Sequence, residues 1–294
     1  MNFFVKETTN ETLWDTFIFN SLNKNYYSLS KVINLEINHK KFFVYKSKEI
    51  VASFCLVFDK SKNIISPKFA LYTPINYKLM KNSSLSSIYS NQLSVNEAIK
   101  RFILSNFKKI NLTLDTCTND IRPFSWFGYP EYKKKFNFDI LYTYVCKIDN
   151  LTKKNIFQKG IYLDSSETNR RDIRNALKKN YQFKEIFSKN IFFKLKESSY
   201  KLHKQKFNRS FYQKQFEAIK ILEKKGMIKM YVCFNDDKPV AMNLFSTINS
   251  KSMFLHSGRS DGDSKNLYGV FLLLNSIFSL SSLGINTLDM EGIN

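Results

Sequence analysis

Cysteine and histidine, the residues that build zinc sites and disulfide frameworks, are scarce in this sequence. Its 294 residues include four cysteines and three histidines. The cysteines (Cys55, Cys117, Cys146 and Cys233) are scattered, without a Cys-x-x-Cys pair and without a nearby histidine. Zinc sites need clustered thiolates and imidazoles, and small disulfide-stabilised domains need closely spaced cysteines. The sequence therefore argues against both classes, and we expect no bound metal.

The sequence also lacks a long apolar run. The first ten residues carry one basic residue and no sustained apolar segment, which argues against a cleaved signal peptide. The longest apolar segment, 267–280, contains Asn275 and two serines and is shorter than a membrane span. We therefore expect no transmembrane segment and a cytoplasmic protein, with the inner face of the membrane as an open alternative.

Arginine is rare, and its rarity changes what the charge means. The formal net charge is +21, from 46 basic and 25 acidic residues, but only seven of the basic residues are arginine. Dedicated phosphate recognition usually recruits arginine forks, whereas abundant lysine is mostly solvated surface. Residues 151–230 hold 21 of the basic residues and seven acidic ones. This block could steer a polyanionic ligand, although a solvated lysine-rich helical face is the interpretation that we prefer.

One stretch, 251–292, has a clear organisation. Residues 253–256 predict a strand, 257–266 a polar loop with two glycines, 270–283 an apolar helix, and 285–290 a further strand. A loop that turns directly into a helix presents unpaired N–H groups and the positive end of the helix dipole, which suits a phosphate or pyrophosphate. An ordinary β-α-β connection with a solvated loop is the simpler alternative.

The other predicted elements repeat this order, with helices followed by three strands, a helix and a strand. In the first half we predict a helix at 10–22, strands at 41–46 and 50–58, a third apolar segment at 64–72, a helix at 94–107 capped by Ser94 with Glu97, a strand at 110–114, a short helix within 119–132 and a strand at 138–148. In the second half we predict a helix at 166–179, a strand at 181–187, helices at 190–205 and 211–225, and strands at 227–234, 239–248 and 251–257. An internal duplication of one α+β unit explains both halves. We place the domains at 1–150 and 151–294.

The two predicted copies differ in glycine. All eight glycines lie at Gly128 or later, so the loop at 73–93 of the first copy contains none. Without glycine the backbone cannot approach a phosphate closely. If either copy binds a nucleotide-like group, we expect it to be the second.

Several segments, in this order and spacing, are similar to the GNAT acyltransferases and to their doubled Fem-type (FemAB-like, peptidoglycan-bridge and surface-polysaccharide) branch. The segments are DIRPFSWFGY (120–129), LYTYVCKI (141–148), RRDIRNALKKN (170–180), HKQKFNRS (203–210), FLHSGRSDG (254–262) and GINTLDMEGIN (284–294). The resemblance implies an α+β, sandwich-like fold of two tandem GNAT-like units, each a mostly antiparallel sheet flanked by helices. Relatives usually continue past the position of Asn294, so we expect that the chain either is truncated or lacks the last strands. The helical hairpin of some tRNA-dependent relatives has no room here.

The resemblance also implies a reaction, the transfer of an acyl group to an amine. The donor would be an acyl-CoA, with acetyl-CoA as the first choice, and an aminoacyl-tRNA is the alternative. The acceptor would be an amino sugar or a cell-envelope precursor, including nucleotide-linked or lipid-linked sugars. Such chemistry needs a polarised carbonyl, a neutral amine and a route for the proton, but no covalent nucleophile. A non-catalytic nucleic-acid-binding protein is a third hypothesis from another class.

Two groups of candidate residues are assigned roles in the reaction: one binds the donor, and the other orients the amine or accepts its proton. The donor's phosphates are assigned to the loop before the last long helix and to its first turn, namely Gly258, Arg259, Gly262, Lys265 and Gly269. Asp289 and Glu291, on the last strand, could take a proton or orient the amine. The alternatives are a simple turn at Gly262 and ordinary exposed carboxylates on the strand.

A third group is assigned to the acceptor, and each member has a structural alternative. Its residues are Asp120, Arg122, Trp126, Tyr129, Arg170, Arg174 and Asn294. Aromatic rings in this group could stack a sugar, and the arginines on one helix face could grip a pyrophosphate. For Phe124 and Trp126 we prefer a place in the core, and for the arginines a solvated helix face. His256, in an apolar strand, is expected to be a core histidine with satisfied hydrogen bonds.

Overall fold

A computed structural model of the chain describes residues 3–118, 120–128, 135–260 and 266–292. It divides into two compact units, Met1–Tyr142 and Thr143–Asn294. Each unit contains a mostly antiparallel sheet with helices on both faces. No helix in the described ranges has the length and apolar character needed to cross a membrane.

The first unit starts with a strand and two helices and continues with a twisted sheet. Its elements are β1 (Phe3–Thr8), α1 (Glu11–Asn20), α2 (Ser30–Ile33), β2 (His39–Lys46), β3 (Glu49–Phe58), β4 (Ile64–Ile65), β5 (Ile75–Tyr77), α3 (Leu85–Asn106) and α4 (Arg122–Ser125). The sheet order is β1-β2-β3-β4, and β5 also pairs with β3. The predicted first helix and the β2–β3 hairpin are confirmed.

Strand alternation divides the core of this unit into two layers. Phe42 and Val44 of β2 pack into the cluster that contains the apolar face of α3. Phe43, between them, points to the other face, where its ring lies 5.5 Å from that of Trp14 in α1. Trp14 is fully buried, and its indole Nε1 donates to the carbonyl of Ser28 at 2.6 Å. The sheet is therefore covered by α1 and α2 on one face and by α3 on the other.

Helix α3 begins nine residues earlier than the sequence predicts. Its N-cap is Ser84, whose hydroxyl accepts from the N–H of Ser87, and the predicted cap Ser94 lies inside the helix and donates to the carbonyl of Ser90. The prediction missed residues 85–93 because the serines and the asparagine among them are typical of a loop, although the apolar residues of the segment recur at helical spacing. A helix anchored by its buried second half extends through such residues one hydrogen bond at a time.

The second unit contains the larger sheet, which has six strands in the described part of the chain. Its elements are β6 (Thr143–Lys147), α5 (Gly160–Leu163), α6 (Glu167–Leu177), β7 (Gln182–Glu185), α7 (Lys189–Leu202), α8 (Arg209–Glu223), β8 (Ile228–Asn235), β9 (Lys238–Ile248), β10 (Lys251–Arg259), α9 (Tyr268–Ser282) and β11 (Thr287–Gly292). The six strands have the order β6-β11-β10-β9-β8-β7. β10 and β11 are parallel, and the other neighbours are antiparallel.

Local signals in the sequence place most of these elements. Ser166 caps α6 by accepting from the N–H of Asn169. Asp236 and Asp237 have positive φ in the tight turn between β8 and β9. Gly226 and Gly284 have φ of 72° and 79° where α8 and α9 end. The predicted strand at 138–148 is shorter, because only Thr143–Lys147 pairs with β11.

The two units share one connectivity, which confirms the predicted α+β fold of repeated units. In each, an edge strand leads through helices to three antiparallel strands, then to a long helix, and then to a segment that returns parallel to the third strand. In the second unit this last segment is β11. In the first unit it is reduced to an isolated parallel bridge between Ile64 and Ile110, so the predicted strand at 110–114 does not form.

Candidate functional site

The parallel strands of the second unit part after three residues. β10 pairs with β11 from Lys251 opposite Thr287 to Met253 opposite Asp289, and no further pair joins them in the described part of the chain. β10 follows β9 as far as Arg259, with a bulge between Phe254 and His256. β11 instead follows β6. Because a bulge bends and twists a strand, the two strands diverge and leave an opening, here called the strand gap.

The first unit has a bridged counterpart of the strand gap. After the Ile64–Ile110 bridge, the N–H of Asn111 donates to the carbonyl of Ile64 at 3.1 Å. Further along, the N–H of Thr73 donates to the carbonyl of Thr113 at 2.5 Å. In the first unit, backbone hydrogen bonds of the chain itself thus close the position that is open as the strand gap in the second unit. The second unit also holds most of the glycines.

Asp289 stands where the strands part. Its backbone is opposite Met253, and the hydroxyl of Thr143 in β6 donates to its Oδ1 at 2.6 Å. Leu288 and Met290 pack into the core beside α9. By strand alternation Asp289 therefore points to the opposite face of the sheet, the face covered by α7 and α8. Of Glu291 the structure describes only the backbone, as part of β11.

His256 lies on the same face, on the other strand of the gap. It is three residues beyond Met253, about 10 Å along β10. Its ring meets Phe192 of α7 and Tyr212 of α8 edge-on, with centroid distances of 5.6 and 5.8 Å. Neither ring nitrogen has a hydrogen-bond partner among the described residues. The expectation of a satisfied core histidine was therefore wrong: the ring is packed but unpaired.

The surroundings of His256 keep its ring neutral. Burial and the positive charge of Lys196 hold the pKa of His256 well below its usual value of 6.5. Lys196 lies one helical turn from Phe192, and its ammonium sits 5.1 Å from the centre of the Tyr212 ring. At neutral pH the imidazole is therefore free to accept a proton.

Two tyrosines form the wall behind His256. The hydroxyls of Tyr200 and Tyr212 are 2.6 Å apart, and Phe207 stacks on the Tyr212 ring at 5.2 Å. Burial and the neighbouring phenol raise the pKa of Tyr212, so it remains protonated. These contacts hold Tyr212 in place against the imidazole. The sequence offered one signal for this cluster, the spacing of Phe192, Lys196 and Tyr200 on one helix face.

Comparison with known proteins gives a fold and no sequence relative. No protein-family model matches the sequence, and no curated protein sequence is significantly similar to it. The crystal structure of FemX superposes with a TM-score of 0.68 at 13% identity, covering 100% of this chain and 89% of that chain. The chain has the fold of FemX. The predicted Fem-type architecture is thereby confirmed as a fold.

Two further structures share this FemX-like fold at lower similarity. L-PGS from Bacillus licheniformis has a TM-score of 0.54 at 12% identity, covering 97% of this chain and 76% of that chain. A conserved protein of unknown function from Bacteroides thetaiotaomicron VPI-5482 has a TM-score of 0.56 at 13% identity, covering 98% and 90%. At these identities the likeness concerns the fold alone.

The residues assigned to the donor lie around the end of β10 and the start of α9. Gly258 and Arg259 belong to β10 itself, and the backbone N–H of Arg259 donates to the Ser199 hydroxyl at 2.7 Å. Gly269 is the second residue of α9. The N-cap residue of this helix, Leu267, has a φ of 59°, and its side chain makes no capping hydrogen bond. Gly262 and Lys265 lie outside the described residues. The assignment of this group to a phosphate stays a prediction.

Gly258 has a packing role that the sequence did not indicate. A Cβ at this position would lie 2.8 Å from the backbone carbonyl carbon of Leu195 in α7 and 2.9 Å from Cε of Met242. Glycine thus lets α7 lie directly on the strand that borders the gap.

We expect Gly258→Ala to lower the free energy of unfolding by about 1–3 kcal/mol, because the backbone of α7 must move to make room. Urea unfolding followed by circular dichroism measures this. Gly160→Ala is the matched control, since its Cβ meets only the mobile end of Asp164 at 2.9 Å. Equal stability of the two variants would show that α7 does not depend on Gly258.

The acceptor residues of the first unit form one local cluster. Nη2 of Arg122 donates to Oδ2 of Asp120 at 2.6 Å, and the guanidinium lies 5.6 Å from the centre of the Trp126 ring. The Arg122 guanidinium lowers the pKa of the Asp120 carboxyl. Phe124 is in the core as expected, but Trp126 is 62% exposed, so its expected place in the core was wrong. Tyr129 and Asn294 lie outside the described residues.

Arg170 and Arg174 lie on α6, which packs with α9 on the other face of the sheet from Asp289 and His256. Nη1 of Arg174 donates to the Tyr162 hydroxyl at 2.7 Å. Nε of Arg170 is buried and has no hydrogen-bond partner within the described ranges. The structure therefore does not bring the arginine pair together with the strand-gap residues. A bound anion at Arg170 stays a prediction.

The residues that the structure describes contain no group of three or more histidine, cysteine, aspartate or glutamate side chains arranged to hold a metal ion.

Proposed function

We propose that the protein transfers an acyl group to an amine, with the donor held in the strand gap of the second unit. The observation that carries this proposal is the parting of β10 and β11 after Met253 and Asp289. An extended, amide-bearing group can add to an open strand edge through main-chain hydrogen bonds. A strand N–H beside it can polarise the reacting carbonyl. The resemblance to Fem-type proteins and the FemX-like fold support the same reaction.

In this proposal the residues of the gap orient the amine and remove its proton. The neutral amine attacks the acyl carbonyl, a C–N bond forms, and the bond from the acyl carbon to sulfur or oxygen breaks. The leaving group takes the electron pair, and the amine loses a proton. Asp289, which faces the gap and is fixed by Thr143, orients the amine by accepting one of its hydrogen bonds.

We propose acyl-CoA as the donor, with acetyl-CoA as the first choice, and an amino sugar or cell-envelope precursor as the acceptor. The start of α9, with Gly269 in its first turn, supports this donor because helix N-termini favour phosphate groups. Arg259, at the end of β10, adds a cation, and its Nη2 lies 3.4 Å from Nε2 of His203. A reaction of this kind belongs in the cytoplasm or at the inner face of the membrane.

A surface groove on the second unit favours the second candidate donor, an aminoacyl-tRNA. The groove lies along α7 and the start of α8 and is lined by Lys189, Asn190, Phe193, Lys194, Glu197, Ser198, Lys201 and Arg209. Four of its side chains are basic and one is acidic, which suits a phosphate backbone. Arg209 is partly committed, since it lies 3.4 Å from Glu197 and 5.1 Å from the centre of the Phe193 ring.

Calorimetry and transfer assays separate these candidates. For calorimetry, acetyl-CoA, coenzyme A and bulk tRNA are titrated in turn. For the transfer assay, labelled acetyl-CoA or labelled aminoacyl-tRNA is incubated with glucosamine and with lysine-containing cell-wall precursors. Binding of acetyl-CoA with label transfer supports the first donor, and transfer from aminoacyl-tRNA supports the second. Binding of tRNA that weakens steeply with salt and produces no transfer would indicate a nucleic-acid-binding protein instead. Failure to bind any of the three contradicts all of these functions.

A further inference from the structure

His256 is a chemically competent group that the proposed reaction has not yet used. It borders the strand gap, its ring nitrogens are unpaired among the described residues, and its ring is neutral. An imidazole whose nitrogens have no protein partner keeps a lone pair that can accept a hydrogen bond or a proton from a ligand. Such a group in a core has no structural benefit beyond the ring packing, and phenylalanine would supply the same packing.

The neighbouring groups on this face are poorly suited to accept a proton. Lys196 contributes a positive charge, and Tyr212 stays a phenol whose oxygen is engaged by Tyr200 at 2.6 Å. Asp289 accepts from Thr143 and comes from β11, the opposite side of the gap. His256 therefore combines a free lone pair with a fixed ring orientation, because Phe192 and Tyr212 hold it edge-on from two helices.

We propose that His256 is the general base that takes the proton from the acceptor amine. This inference rests on the acyl transfer proposed above and divides the work in the gap, with Asp289 orienting the amine and His256 removing its proton. As the C–N bond forms, the nitrogen becomes positively charged, and its proton passes to the unprotonated ring nitrogen of His256. The imidazolium then returns this proton, directly or through water, to the departing thiolate or alkoxide. Atoms and charges balance without another reactant.

The charge environment matches this role. The imidazolium would form beside Lys196, whose charge disfavours it. A weakly basic imidazole releases its proton readily to the leaving group. The cost is that the base works only where it is unprotonated, so activity must fall when the pH drops below its lowered pKa.

The test compares the pH dependence of kcat/KM in the wild type, His256→Gln and His256→Phe, with the donor and amine that support transfer in the assay above. We expect both variants to lose a factor of about 100 or more in kcat/KM. We also expect both to lose the decline of activity on the acidic side, because the titrating group is gone. His39→Gln, in the first unit, is the matched histidine control and should keep the activity and the acidic decline. His256→Phe should keep the thermal stability of the wild type, since it preserves the packing against Phe192 and Tyr212.

Each result has a clear consequence. If the wild type transfers acyl groups and His256→Phe is equally active, the base assignment is overturned while the proposed function stands. If the wild type transfers from no donor, both fall together.

A nuclear magnetic resonance measurement of labelled histidine, assigned with His256→Gln, needs no substrate. We expect the neutral ring at pH 7, and a protonated ring there would overturn the assignment. Stability gives a second test. The pKa of His256 is lower in the folded chain than in the unfolded chain, so below pH about 6.5 the unfolded chain binds the proton more readily, and the free energy of unfolding falls as the pH falls. His256→Gln should therefore reduce the acid sensitivity of unfolding.

Discussion

Asp289→Asn is expected to lower kcat/KM for acyl transfer about a hundredfold and to leave the fold intact. The change keeps the size of the side chain and an oxygen that can accept from Thr143, so the contact at 2.6 Å can persist. What is lost is the negative charge that orients the amine in the proposed reaction. A positioned charge at a reacting centre is worth roughly 10²–10³ in rate. Steady-state kinetics with the active donor and amine measure the loss.

Two control variants make this result specific. Asp139→Asn removes an exposed carboxylate of the first unit and should leave kcat/KM unchanged. Thr143→Val removes the hydroxyl that fixes Asp289 and should have an intermediate effect, about tenfold. Asp289→Asn should keep the acidic decline of the pH profile, which His256→Gln should lose. Full activity of Asp289→Asn would show that Asp289 has no role in the reaction, and His256 would remain the candidate residue at the strand gap.

Trp14→Ala is expected to lower the free energy of unfolding of the first unit by about 3–5 kcal/mol. The indole is fully buried between α1 and the sheet, and its removal leaves a cavity that the neighbouring side chains cannot fill. It also leaves the Ser28 carbonyl without the indole N–H that now donates to it at 2.6 Å. Denaturant unfolding followed by circular dichroism measures the change, with a separate transition allowed for each unit.

The second tryptophan provides the matched control. Trp126 is 62% exposed and contacts the Arg122 guanidinium. Trp126→Ala should therefore change the free energy of unfolding by less than about 1 kcal/mol. With one tryptophan left in each variant, fluorescence should show a blue-shifted indole for Trp14 and a water-exposed one for Trp126. Similar losses of stability in the two variants would contradict the assignment of Trp14 to the core.

Local signals allowed much of the fold to be predicted. The β2–β3 and β8–β9 hairpins, the Ser166 cap of α6 and the glycine that ends α9 depend on neighbours within a few residues. The order of helices and strands in the two halves, together with the family-like segments, predicted the duplicated α+β architecture that the FemX-like fold confirms. Helix α3 was predicted less well because its first half is rich in serine, which is typical of loops, although the apolar residues of that half recur at helical spacing.

The candidate site, like the fold, could be predicted from the sequence only in part. The sequence identified the stretch from β10 to β11 and singled out Asp289, because a strand, a glycine-bearing loop, a helix and a strand follow one another along the chain. It did not indicate Gly258 as the contact point of α7, since that role depends on Leu195, 63 positions earlier. It also treated His256 as an ordinary core residue, because its partners Phe192 and Tyr212 come from two other helices.

By itself the sequence determined that this chain forms two α+β units with helices and strands in a repeated order, since caps, turns and apolar periods act over short distances. Only the tertiary structure decided that β10 and β11 part in the second unit while backbone hydrogen bonds cross the same place in the first. Strand pairing between distant segments depends on bulges and on which helix covers each face. Those contacts bring an unpaired histidine and an aspartate to the same opening.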